Sequence, residues 1–207
     1  MTLMRTKFTR PAALLAALLL AVPALAACGD HEASPDAETH TAANGDEFND
    51  ADVAFATDMI PHHAQANEMV NMARGRGLDP EVQQIADAIL AAQPTEIETM
   101  VDWLTDWDQP IPATSQDHAN AHGEGMEMDT DMPGMMSEDE MDDLDAARGE
   151  EFQTMWLEMM VEHHEGAIEM AQTEVSDGKF ADAVVMAKDI ESSQAAEVEQ
   201  MQGLLGS

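Results

Sequence analysis

The sequence predicts an all-α protein, a four-helix bundle made of two duplicated helical hairpins joined by a long crossover loop. Three observations predict it. The chain repeats itself, its apolar residues recur at helical spacing in both copies, and no run reads as a strand.

The repeat comes first. Shifted by 101 positions, residues 59–100 align with 160–201 without a gap. Coincident pairs include Met59/Met160, His62/His163, His63/His164, Ala66/Ala167, Met69/Met170, Gly77/Gly178, Gln93/Gln194, Glu96/Glu197 and Met100/Met201. Val82, Ile85, Ile89, Ile97, Met100 and Leu104 form one stripe, and Met186, Ile190, Val198, Met201 and Leu205 form its counterpart. Each stripe needs a partner, and two hairpins supply one another.

Each segment can then be justified in chain order. Residues 1–27 carry a basic start (Arg5, Lys7, Arg10) and an apolar run, followed by the small residues of "LAAC" at 25–28. This reads as a lipoprotein signal peptide, with Cys28 as the lipidated first residue of the mature chain. Residues 28–47 lack apolar periodicity and read as a flexible acidic tether. The bundle occupies 48–207.

Its first hairpin, 48–108, holds a helix over about 49–73, the breaker "RGRG", and a second helix opened by Asp79-Pro80-Glu81. Pro61 should kink the first helix beside His62. The loop 109–136 is rich in Pro, Gly, Met and His. The second hairpin, 137–207, starts at a capping box, Ser137 with Glu140, before a helix running to about Gly178 and a last helix over about 180–204. Trp103, Trp107 and Trp156 read as packing residues.

Charge restricts the partners. Loss of residues 1–27 removes three of eight basic residues and none of 42 acidic ones, so five oppose 42 and the net charge is −37. A phosphate backbone would be repelled, which excludes nucleic acid; cations would be concentrated near the surface.

The chemistry centres on "DMIPHHAQANEM" (58–69) and its copy "MMVEHHEGAIEM" (159–170). On a helix, Met59, His62 and Met69 share a face, as do Met160, His163 and Met170, while His63 and His164 remain within reach of the methionine four residues before them. Soft sulfur with imidazole suits Cu(I), with Ag(I) as a mimic; imidazole with carboxylate suits Cu(II) or zinc. These eight residues are the expected metal ligands. His118, His122, Met126, Met128, Met132, Met135 and Met136, in a polar loop with no core to fill, are expected accessory ligands. Gln93 and Gln194 either orient an imidazole or form a buried polar pair that fixes register. The Glu-x-x-His spacing of di-iron bundles is missing at these histidines, which argues against an iron oxidase.

The motifs "MIPHHAQANEM", "MPGMMS", "MMVEHHEGAIEM" and "IESSQAAEVEQM" resemble those of the domain-of-unknown-function 305 family over about residues 48–205. The resemblance implies a ferritin-like bundle, secretion or lipid anchoring and, as in CopM-type periplasmic members, copper binding through histidine and methionine. Ala64-Gln65 departs from the family pattern that Glu165-Gly166 keeps.

The expectation is therefore an exported, lipid-anchored protein that binds copper for sequestration, resistance or delivery and is not an enzyme. Its partners would be metal ions, the membrane through Cys28 and a copper-transfer protein. The alternative is a structural or interaction module of the cell envelope.

Overall fold

The computed structural model describes residues 38–114 and 132–206. Cys28, His118, His122, Met126 and Met128, with the signal peptide, lie outside the described residues. A short hairpin, β1 (His40–Thr41) and β2 (Glu47–Phe48), precedes five helices: α1 (Asp50–Ala73), α2 (Pro80–Asp106), α3 (Glu138–Ala146), α4 (Glu150–Asp177) and α5 (Ala181–Leu205). Among the described residues no helix is long and apolar enough to cross a membrane.

Three expectations change here. The tether reading fails for its last residues, because His40 pairs with Phe48 and Thr41 with Glu47, while Phe48 stacks on Trp107 at 4.6 Å. The single helix expected after Ser137 is two. Ala147 ends α3 in an extended conformation, and Gly149 precedes α4 with φ of 60°, which glycine adopts without strain. Arg76 secures the break, donating to the carbonyls of Ala147 and Asp145 with its guanidinium 4.3 Å from the centre of the Phe152 ring. The capping box at Ser137 and Glu140 forms as expected. Asp79 does not cap α2 with its side chain; it exchanges two hydrogen bonds with Gln153 instead.

The start of α1 is tied to the α4–α5 turn. Asp52 accepts the backbone N–H of Asn49 to close a capping box, and its other oxygen accepts those of Lys179 and Phe180 at 3.0 and 2.8 Å. Glu174 lies buried beside it, and Asp52 is the largest influence on that carboxyl after burial. Burial, reinforced by Asp52, pushes Glu174 up to about 9, so it is a neutral acid at physiological pH.

α1 packs on α2, α4 on α5, and α1 meets α4 along the central seam. Two apolar clusters fill the bundle. One joins Phe55 and Met59 of α1 with Met100 and Leu104 of α2, Ala167 and Ala171 of α4, and Ala187 and Ile190 of α5. The other joins Met69 and Val70 with Val82 and Ile89, Trp156 and Met160, Met201 of α5, and Met141 and Leu144 of α3. Every long helix thus passes from one cluster into the other, α1 and α5 in one sense and α2 and α4 in the opposite sense. Trp156 belongs to the second cluster and donates its indole N–H to the Met69 carbonyl; Trp107 belongs to the first, with Trp103 packed against it.

Candidate metal centre

Where the helices change clusters, the buried residues become polar. His62 and His63 on α1, Gln93 on α2, His163 and His164 on α4, and Gln194 on α5 are all buried between the two apolar groups. This layer follows from the repeat, since the three polar positions in the middle of each copy become a shared central layer once the copies face each other.

The two copies make matching contacts. His63 Nε2 donates to Glu96 Oε2 at 2.8 Å, and His164 Nε2 donates to Glu197 Oε2 at 2.7 Å. His62 Nε2 donates to the Pro133 carbonyl at 3.0 Å. In these three rings Nε2 carries a proton, and in His62, which burial keeps neutral, Nδ1 presents a bare lone pair. None of the three Nδ1 atoms has a hydrogen-bond partner, and His163 has no partner of good geometry on either nitrogen. The rings of His62 and His163 touch, with centroids 3.8 Å apart.

Electrostatics keeps His62 and His163 neutral. Burial lowers His62 to about 3, and the neighbouring His63 adds to the effect against the Pro133 hydrogen bond. Burial holds His163 well below the usual imidazole range, with His62 and His164 next in influence. An unprotonated imidazole is the form a metal requires. Buried lone pairs without donors are costly in a protein interior, by about 1–3 kcal/mol each, unless something accepts them.

Of the two readings left open for Gln93 and Gln194, orientation of an imidazole falls to other residues. Gln93 and Gln194 leave their side-chain oxygens unpartnered, and Glu96 and Glu197 hold the imidazoles instead. Both glutamates coincide in the repeat alignment, and that coincidence was the available signal. A carboxylate on the far nitrogen fixes the tautomer and raises the basicity of the near one, the usual companion of a ligating histidine.

The expected methionines divide. Met59 and Met160 are fully buried beside the layer, in opposite clusters, and Met69 is fully buried one cluster away from Met59. Met170 is only partly buried. In the loop, Met132 is partly exposed, but Met135 and Met136 are buried and Met136 joins the apolar core. The expectation that these two lack a core is therefore corrected: Gln65 holds the Met136 backbone by two hydrogen bonds of 2.8 Å and draws the segment inward. Among the described residues no three His, Cys, Asp or Glu side chains form a group that could hold one ion.

A family model described as domain of unknown function (DUF305) matches residues 52–205. Among solved structures, a DUF305 protein from Streptomyces coelicolor, described as secreted, is 30% identical with a TM-score of 0.64, covering 75% of this chain and 92% of that one. A DUF305 fragment from Deinococcus radiodurans is 26% identical with a TM-score of 0.65, covering 81% and 99%. CopM in its Cu(II)-bound form is 28% identical with a TM-score of 0.60, covering 75% and 95%, and CopM has also been solved in Cu(I)-bound and Ag-bound forms. None of the curated proteins compared matches the chain.

Proposed function

The chain belongs to the domain-of-unknown-function 305 family, and we propose that it binds copper in the central polar layer of its helical bundle. The observation that carries this reading is the set of buried, unpartnered Nδ1 atoms on His62, His63 and His164, with His163 unpartnered at both nitrogens. Met59 and Met160 supply thioethers, and Glu96 and Glu197 orient the rings. Such a set favours Cu(I), with Ag(I) as a mimic and Cu(II) as the second oxidation state. The bound CopM structures support the choice of metal.

The protein is exported, anchored by lipid at Cys28 and not an enzyme; it serves copper sequestration, resistance or delivery, passing metal to a transfer partner. The N-terminal pattern and the relative described as secreted support export. A second reading, a non-catalytic module of the envelope, draws on the same layer, because the buried His–Glu pairs could serve only to fix helix register.

One experiment separates them. Cu(I) affinity is measured by competition with a chelator under reducing conditions, for the wild type and for a variant with all four histidines changed to Gln. A loss of tight binding with the helical circular dichroism retained is expected. Equal affinity of the two proteins would reject the copper site and leave the module.

A further inference from the structure

Residues 132–136 cross over the polar layer and are held there from both halves of the repeat. The Pro133 carbonyl accepts the His62 Nε2 proton. Gly134, with φ of 73°, rests on α4; a Cβ there would meet the Glu162 carbonyl oxygen at 2.6 Å and the His163 Cα at 3.1 Å. On the α4 side, a Cβ at Gly166 would collide with the Pro133 carbonyl, so only glycine admits the crossing. On the α1 side, Gln65 Nε2 donates to the Met136 carbonyl and Gln65 Oε1 accepts the Met136 N–H, both at 2.8 Å.

Gln65 and Gly166 occupy the same position of the two copies. One has become a clamp and the other a groove. His62 and His163 beneath are fully buried, whereas Pro133 is exposed. The segment therefore stands between solvent and the contact of those two rings.

We propose that residues 132–136 form a strap closing the histidine layer, with Gln65 as its latch, and that release of the strap admits or discharges a soft monovalent cation. Only the cargo rests on the copper reading; the closure does not. The latch consists of two hydrogen bonds from one side chain. Their loss shifts an opening equilibrium by about tenfold to a hundredfold, enough to govern access without being needed for the fold.

The test uses the full metal-free chain. Histidine acylation by diethylpyrocarbonate is followed site by site by mass spectrometry, with the partly exposed His40 as internal reference. In the wild type, His62 and His163 should react at least a hundredfold more slowly than His40. Gln65→Ala should accelerate both by about tenfold to a hundredfold, and Ag(I) uptake in a stopped-flow instrument should accelerate in parallel. His63 and His164, bonded to α2 and α5, report general loosening of the bundle.

Equal acylation of His62, His163 and His40 in the wild type would overturn the strap, as would an unchanged rate in Gln65→Ala or a uniform rise at all four buried histidines. Should Gln65→Ala lose helicity, Gly134→Ala, which lifts the strap from its own side, replaces it and should show the same selective acceleration. Accelerated acylation without any Ag(I) binding would uphold the closure and reject the copper reading. Ag(I) binding at an unchanged uptake rate would reject release of the strap as the admitting step and uphold the copper reading.

Discussion

His62 and His163 meet ring against ring across the α1–α4 seam, with centroids 3.8 Å apart and planes inclined by 39°. They are the same residue of the two copies, brought together because α1 and α4 run in opposite senses and cross near their middles. Two neutral imidazoles tolerate this approach and two cations would not, so burial of the layer and the contact of the rings depend on each other.

The matched pairs His63–Glu96 and His164–Glu197 lead to the first prediction. Glu96→Gln and Glu197→Gln keep an acceptor for Nε2 but remove its negative charge. Each should weaken Cu(I) binding by about 10- to 100-fold while the metal-free melting temperature stays nearly constant. Chelator competition and thermal melting together measure this. A purely register-setting role would move the melting temperature and leave affinity alone.

Glu174 supplies a pH dependence. Its carboxyl is raised in the folded protein to about 9, above the ordinary carboxylate value of 4.5. Between those values the folded state binds more protons than the unfolded state, so stability falls as pH rises through the window. For this one group, with solvent screening allowed for, the fall between pH 6 and pH 8 is on the order of 1 kcal/mol. Glu174→Gln should flatten that slope and raise stability at pH 8, as read by urea unfolding. An unaltered slope would show that Glu174 is not held protonated by burial beside Asp52.

Lipidation of Cys28 is tested by fractionation. Cys28→Ser should move the protein from membranes to the soluble fraction, because acyl chains supply the membrane affinity and an acidic domain supplies none. Retention of the variant on membranes would remove the anchor from the proposed function.

The duplication was legible in the sequence because Met59/Met160 through Met100/Met201 coincide without a gap, and the helix limits followed from Asn49, Ser137 and the glycine breaks. The histidines were legible for the same reason. Less visible was the division of labour around them. Gln93 and Glu96 lie three residues apart on one helix, both repeated, and only the packing of α1 on α2 decides which of them reaches His63. The strap was hidden further still. Met135 and Met136 sit in a polar stretch whose composition signals a loop, and the hydrogen bonds that hold the Met136 backbone come from Gln65, 71 positions away in α1. The break at Gly149 was missed because its neighbours favour a helix and a lone glycine inside a helical pattern is a weak signal.

The placement of the tryptophans has an optical consequence. The chain contains no tyrosine, and its three indoles divide between the two ends of the bundle, Trp156 in one apolar cluster and the stacked Trp103–Trp107 pair at the other. Each end therefore carries its own fluorophore, one a solitary emitter and the other an aromatic stack with Phe48 and Phe180. Ultraviolet emission of the native chain, without any label, therefore draws on both halves of the core.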